Sequence, residues 1–252
     1  MNTSSGFSLR FLFGGQVWLA VFFFGAALLK PVPSALGSTG EALELDLGEF
    51  RAVSLEGPFR VTFEEGLPAR VIVRGSEAAR ERVQANISRG TLRLQLQSQG
   101  WFRRAVQPSG AMEVTVISPQ VDTVAVSGSG RFVAASPLRG ERVSASVSGS
   151  GRIEGAVEAQ SVSTSVSGSG RVQLTGTAPA GVDVRISGSG RADLGAIEAA
   201  VVTARISGSG RAEVWALESL DARISGSGRL TYRGTPTVDS RVSGSGSVRP
   251  AQ

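Results

Sequence analysis

The sequence has 252 residues, of which 41% are hydrophobic and 19% charged, and 33 of them are glycines. This balance is too apolar for a disordered chain and too rich in glycine for a helical bundle. The sequence contains no cysteine and no histidine, which excludes disulfides, Cys/His metal sites and histidine-activated nucleophiles. We predict no cofactor and no bound metal. The net charge of +5 is not accompanied by a nucleic-acid-binding motif, so we predict no nucleic-acid partner either.

Residues 1–37 have the order of an export signal. An uncharged, apolar run at 11–29 is followed by Lys30 and Pro31, and small residues come at 35–37. This order is typical of a cleaved secretory signal peptide, although a run of this length also fits an uncleaved membrane anchor. Both interpretations predict an exported protein of the periplasm, cell envelope or extracellular space, with a single folded domain at 38–252.

The first part of that domain, 38–120, is β-rich but irregular. Ser76 is a suitable N-terminal cap for one short helix. Because strands continue directly into a repeat, we interpret this segment as the cap that covers the first apolar cross-section of a repeat protein. Apolar runs predict strands at Leu43/Leu45/Leu47, Phe59/Val61/Phe63, Val71/Ile72/Val73, Leu92/Leu94/Leu96 and Val114/Val116.

The loop at 98–110 is a first candidate ligand contact. It places Trp101 and Phe102 beside Arg103 and Arg104. Aromatic rings with neighbouring guanidiniums are suited to stacking on sugars or to a membrane interface. The alternative interpretation is that the aromatic side chains pack back onto the cap.

A repeat occupies 121–248. The tetrapeptide Ser-Gly-Ser-Gly occurs seven times at spacings of 18 to 21 residues, and such a period is the signature of a stacked repeat architecture. A valine or an isoleucine precedes every copy, and an arginine follows the first six. The tetrapeptides begin at Ser127, Ser148, Ser167, Ser187, Ser207, Ser225 and Ser243.

The alternation before each tetrapeptide, as in Val182/Val184/Ile186, predicts a strand with one buried face. One repeat is too small to bury that face alone, so the repeats should stack as coils about 4.8 Å apart. The predicted fold is all-β, a right-handed parallel β-helix or β-solenoid of about seven coils of about 20 residues. We assign the corners and the close approach of successive coils to the glycines of the tetrapeptides: Gly128, Gly130, Gly149, Gly151, Gly168, Gly170, Gly188, Gly190, Gly208, Gly210, Gly226 and Gly228.

Stacking in register would align the arginines that follow the tetrapeptides. Neighbouring guanidiniums would repel each other by about 1 kcal/mol per pair even in water, and acidic residues two positions further on are available as partners. A second column, Arg185/Arg205/Arg223/Arg241, has Asp183, Asp221 and Asp239 two residues before it. Two interpretations stay open: a solvated ladder of ion pairs, or a stripe that binds the anions of a polysaccharide or a lipid. For the stripe, the candidate ligand contacts are Arg191, Arg211 and Arg229.

The order of these segments resembles a known family. The opening GEFRAVSLEGPFRVTFEEG is followed by VIVRGSEAARERVQANISRGTLRLQL, then by VTVISPQVDTVAVSGSGRF and the further SGSG repeats. This arrangement, over about 42–248, is similar to the putative auto-transporter adhesin family with a head GIN domain. The resemblance implies an exported β-helical domain of bacterial envelopes and an adhesin-like role, and it supplies no catalytic residues.

These observations favour an exported, non-enzymatic β-solenoid that acts as an adhesion or binding module of the bacterial cell envelope. Its expected partners are an envelope polysaccharide, a lipid or a surface protein. The first alternative is a structural or assembly scaffold that self-associates through the solenoid ends, where unpaired strand edges recruit partners. A polysaccharide-active enzyme is the second. It is disfavoured because the acidic residues recur once per repeat beside an arginine, whereas glycosidases gather carboxylates in one patch.

Overall fold

A computed structural model describes residues 42–75, 80–97 and 112–251. The predicted export signal at 1–37, the start of the predicted helix at 76–79 and the loop at 98–110 lie outside the described residues. The described residues form eighteen β-strands. None of their segments is a helix long and apolar enough to cross a membrane.

Two types of strand pairing build the N-terminal part of the fold. Its seven strands are β1 (Leu43–Asp46), β2 (Ala52–Glu56), β3 (Phe59–Glu65), β4 (Arg70–Arg74), β5 (Val83–Ser88), β6 (Thr91–Leu96) and β7 (Met112–Ser118). Strands β2 and β3 pair in parallel with β6 and β7, whereas β4 pairs antiparallel with β7, β1 with β4, and β5 with β6. The antiparallel strands cover one end of a parallel stack, as a solenoid cap must.

The repeats supply the remaining strands: β8 (Thr123–Gly128), β9 (Arg131–Ala134), β10 (Leu138–Gly149), β11 (Arg152–Gly168), β12 (Arg171–Thr177), β13 (Gly181–Gly188), β14 (Arg191–Gly208), β15 (Arg211–Gly226), β16 (Arg229–Arg233), β17 (Thr237–Ser243) and β18 (Ser247–Pro250). All pairings among them are parallel, and equivalent residues of successive repeats face each other. The predicted β-solenoid is confirmed. Its seven Ser-Gly-Ser-Gly corners bound about six full turns.

The predicted cap is more than an end cover, because it contributes coils of its own. Strands β2 and β3 continue the solenoid through parallel pairing with β8 and β9. On their other side lie β6 and β7, which come later in the chain. The spatial order of these coils therefore differs from their order in the sequence, which the linear repeat pattern does not show.

The interior of the solenoid consists of side-chain columns that run from coil to coil. In one column Val147, Val166, Ile186, Ile206 and Ile224 occupy equivalent positions, and all are buried. Strand alternation explains this, because every second side chain of a strand points to the same face. The columns form one continuous apolar core that extends into the N-terminal coils.

Candidate functional site

The corners at the Ser-Gly-Ser-Gly tetrapeptides stack directly on one another. Gly208 has φ = +109°, and a Cβ atom there would lie 2.6 Å from the carbonyl oxygen of Gly188 on the preceding coil. Ser209 donates its backbone N–H to that same oxygen at 2.9 Å, and Arg211 donates to Gly190 at 3.0 Å. Glycine at this corner therefore provides both an accessible φ and room for the neighbouring coil.

A groove runs along the solenoid axis on each side of the stacked corners. We call the first the wall groove; its volume is about 630 Å³, and it lies on the strands that precede the corners, between Ser165 and Ser243. The second, the corner groove, has a volume of about 370 Å³ and lies where the chain leaves the corners, between Ser150 and Arg211. Both grooves extend over several coils.

One sequence unit supplies both grooves. The heptapeptide Arg-Ile-Ser-Gly-Ser-Gly-Arg occurs at 185–191, 205–211 and 223–229. In the first copy, Arg185 and Ser187 line the wall groove, and Ser189 and Arg191 line the corner groove. This corner thus presents one arginine and one serine hydroxyl to each side.

Aspartates neutralise most of the arginines of the wall groove. Asp183 forms ion pairs with Arg185 and with Arg205, the second at 3.8 Å. On the coil after that of Arg205, Asp221 pairs with Arg223 at 3.3 Å. The wall groove therefore carries a ladder of exposed ion pairs, which is the first of the two interpretations that the sequence left open.

Neutralisation is incomplete in the arginine column of the corner groove. Arg131 and Arg152 both pair with Glu154, at 3.6 and 3.5 Å, and Arg171 pairs with Asp193 at 3.8 Å. Beyond these, the column continues in register through three more arginines. Within the described part of the chain none of the three has a carboxylate oxygen within 4.0 Å, and they are the residues predicted from the sequence: Arg191, Arg211 and Arg229.

Two carboxylates lie beside this end of the arginine column, at the strand position that Glu154 holds two coils before Asp193. Asp193 and Glu213 occupy paired positions on neighbouring coils. Burial raises the pKa of Asp193 above its ordinary value and Glu213 acts in the same direction, while Arg191 and Arg171 oppose the shift. Asp193 therefore loses its charge at a higher pH than an exposed aspartate would.

The sequence-predicted contacts thus divide into two groups. Trp101, Phe102, Arg103 and Arg104 lie outside the described residues. Arg191, Arg211 and Arg229 stand in one column beside the corner groove, with Arg191 half-buried and the other two exposed. The predicted structural glycines occupy the stacked corners.

The sequence predicted the arginine column of the wall groove with its aspartate partners, but not the groove itself. Its arginines are Arg185, Arg205, Arg223 and Arg241, and its serines are the first serines of the tetrapeptides. A signal for it was present, because each of these arginines stands two residues before a serine, and positions i and i+2 of a strand share one face.

The described residues contain no cluster of three or more acidic, cysteine or histidine side chains with the geometry of a metal site. The corner groove is lined by serines, glycines and arginines, whose guanidiniums and hydroxyls bind anions through charge-assisted hydrogen bonds. The wall groove is lined in addition by Val166, Ile186, Ile206, Ile224 and Val242.

Comparison with known proteins agrees with this architecture. Fold and grooves define a parallel β-solenoid with a repeated, arginine-lined outer face. Residues 49–236 match the family described as "Putative auto-transporter adhesin, head GIN domain", and the chain belongs to that family. A search of curated proteins gave no match.

Solved structures share the fold at low sequence identity. A "putative adhesin" from Bacteroides fragilis matches with a TM-score of 0.73 and 20% identity, over 85% of this chain and 98% of its own. A "putative lipid binding protein" from Parabacteroides distasonis matches with a TM-score of 0.70 and 21% identity, over 84% and 96% of the two chains. At this identity the likeness establishes the fold alone.

Proposed function

We propose that this protein is an exported, non-enzymatic binding module that attaches to anionic material of the cell envelope through the corner groove. The observation that carries the proposal is the in-register column of Arg191, Arg211 and Arg229, none of which has a carboxylate oxygen within 4.0 Å among the described residues. Arginine cannot lose its proton to relieve the repulsion within such a column. A bound anion would relieve it.

Two further observations support this role. The adhesin-like name of the family agrees with attachment to surface material, and the sequence of residues 1–37 has the order of an export signal. Arginine columns and serine hydroxyls bind and position anions, but they do not form the paired acid and base that general acid–base catalysis needs.

Capture of envelope material tests the proposal. The purified chain is immobilised and exposed to solubilised bacterial envelope at low and high salt. We compare it with a variant carrying Arg191→Gln, Arg211→Gln and Arg229→Gln. A matched control removes the same charge from exposed positions of the N-terminal part, through Arg51→Gln, Arg74→Gln and Arg89→Gln.

The expected result is salt-sensitive capture by the wild type and the control, and loss of capture in the groove variant. Equal capture by all three proteins would contradict binding through the column. If the wild type captured nothing, the binding function itself would be wrong.

Self-association is a second candidate function, favoured by the last coil. Val238 and Val242 occupy the positions of Leu220 and Ile224 on the preceding coil. The latter two are buried, whereas Val238 and Val242 are 37% and 43% exposed. Light scattering of the wild type and of Val238→Asp/Val242→Asp at increasing concentration tests this function. It fails if the wild type remains a monomer.

A further inference from the structure

The corner groove repeats one chemical unit at every coil. Ser189 and Arg191, then Ser209 and Arg211, present a hydroxyl and a guanidinium at intervals of one strand spacing, about 4.8 Å. Arg229 continues the arginine column by one further coil. A ligand that uses all of these groups must be linear and must itself repeat along the solenoid axis.

The polar groups of this repeat have no competing partners. The hydroxyls of Ser189 and Ser209 are exposed and make no hydrogen bond within the described part of the chain. The guanidiniums of Arg211 and Arg229 are exposed and have no carboxylate within 4.0 Å among the described residues. A guanidinium takes a carboxylate in a bidentate geometry, and a serine hydroxyl can donate to or accept from a neutral hydroxyl.

The surroundings of the groove argue against a membrane. The large apolar side chains exposed among the described residues are Leu67, Val201, Leu217, Val238 and Val242. None of them lines the corner groove. A membrane-binding face needs apolar residues beside its basic ones, so the groove fits a polymer in water better than a lipid surface.

Resting on the proposed function, we infer that the ligand is a linear acidic polysaccharide lying along the corner groove. It places one acidic sugar over each of Arg191, Arg211 and Arg229. Its carboxylates pair with the guanidiniums, and its hydroxyls bond to the serines of the tetrapeptides. Binding through repeated weak contacts makes affinity depend on polymer length.

Oligogalacturonates of defined length test this inference by calorimetry on the full chain. Affinity should rise steeply from the monomer to about the trimer and then level off, because one acidic sugar lies over each of the three arginines, and it should fall with salt. Each arginine removed should weaken binding by about tenfold, because a hydrogen bond to a charged group contributes about that factor to affinity. A neutral galactan of the same length should not bind.

The matched control changes the paired arginines of the same three coils, through Arg185→Gln, Arg205→Gln and Arg223→Gln. The loss in this control should be much smaller than the loss in Arg191→Gln/Arg211→Gln/Arg229→Gln. Equal losses would overturn the assignment to the corner groove. Circular dichroism and thermal unfolding of both variants verify that the strands remain intact.

Vesicles of phosphatidylglycerol test the alternative that the ligand is an anionic lipid surface. Binding to these vesicles without binding to oligogalacturonate would overturn the polysaccharide inference while leaving the proposed envelope function standing. The same holds if envelope material is captured through the column but no acidic oligosaccharide binds. Failure to capture any envelope material would overturn both.

Discussion

The N-terminal coils and the tetrapeptide coils solve the same packing problem with different residues. Large side chains fill the N-terminal coils, and the largest buried ones include Phe50, Phe59 and Phe63. In the tetrapeptide coils the interior positions hold smaller residues such as Ala192 and Ala212. The first region closes an end with mixed strand directions, whereas the second repeats one register and therefore aligns identical functional groups over many coils.

The comparison shows what in-register stacking provides and what it requires. It provides columns of arginine and serine at a constant spacing, without a dedicated binding loop. It requires glycine wherever successive coils meet at the corners, and it places each arginine beside another positive charge. In the N-terminal coils Gly57, with φ = +135°, meets the first Ser-Gly-Ser-Gly corner in the same way, but their sequence is otherwise irregular.

The largest difference between the regions should appear in core truncation. Phe63 of β3 is fully buried in the N-terminal coils, and Val172 of β12 is fully buried in the tetrapeptide coils. Phe63→Ala should reduce the free energy of unfolding by about 4 kcal/mol, and Val172→Ala by about 2 kcal/mol, because the cavity scales with the volume removed. Urea unfolding followed by circular dichroism measures both. Equal losses would mean that the coils relax around the cavity regardless of region.

The corner glycines should be the next most sensitive positions. Gly208→Ala places a Cβ atom against the backbone of the preceding coil at φ = +109° and should cost about 3 kcal/mol. Gly90, in the N-terminal part, also has a positive φ of +72°, but nothing lies within 4 Å of its added Cβ. Gly90→Ala should therefore cost only about 1 kcal/mol. If the two substitutions cost the same in thermal unfolding, close stacking is not what selects glycine at the corners.

Much of this architecture could be predicted from the sequence, because the tetrapeptide and the alternation before it repeat. The strand direction, the stacking and the arginine columns all follow from that period. The N-terminal coils could not be ordered, since the pairing of β2 with β6 and β8 joins segments far apart in the sequence. Strands β2 and β5 were also missed, and no repeat marks them.

The candidate site was predictable only in part, for a physical reason. A column of arginines can be inferred from register, but its neutralisation depends on side-chain positions that the spacing does not fix. Glu154 pairs with Arg131 on the preceding coil as well as with Arg152 on its own strand. Glu213 stands two residues after Arg211 yet has no arginine nitrogen within 4.0 Å among the described residues. Equivalent sequence positions therefore differ in charge balance.

A smaller effect is expected at Thr164, a polar residue in an otherwise apolar interior column. Thr164 is fully buried between Ala145 and Val184, and its hydroxyl has no hydrogen-bond partner among the described residues. Thr164→Val replaces that hydroxyl with a methyl group of similar size and should stabilise the fold by about 1 kcal/mol. Thr164→Ser keeps the unpaired hydroxyl, removes a methyl group and should destabilise it. Thermal unfolding of both variants measures the difference, and a destabilised Thr164→Val would show that the hydroxyl is satisfied in solution.

The smallest effect concerns the ion pairs that join the two regions. Arg139 of β10 contacts Glu65 in the N-terminal part and Glu158 on the next coil, the latter at 2.8 Å. The hydrogen bond from Arg139, aided by its charge, lowers the pKa of Glu158 below its ordinary value of 4.5, against the effect of burial. A lowered carboxyl pKa contributes stability that is fully present above pH 4.5 and is lost as the pH falls through the folded-state pKa.

Arg139→Gln should therefore lower the unfolding temperature slightly at pH 7, and the difference from the wild type should shrink below about pH 4, where glutamates become protonated. Because the three side chains are solvent-exposed, the effect should also decrease with added salt. Arg142→Gln is the matched control, since Arg142 hydrogen-bonds to Ser161 rather than to a carboxylate. Its effect should not follow glutamate titration. A deficit of Arg139→Gln that persisted unchanged at low pH would mean that Arg139 joins the two regions by packing and not by charge.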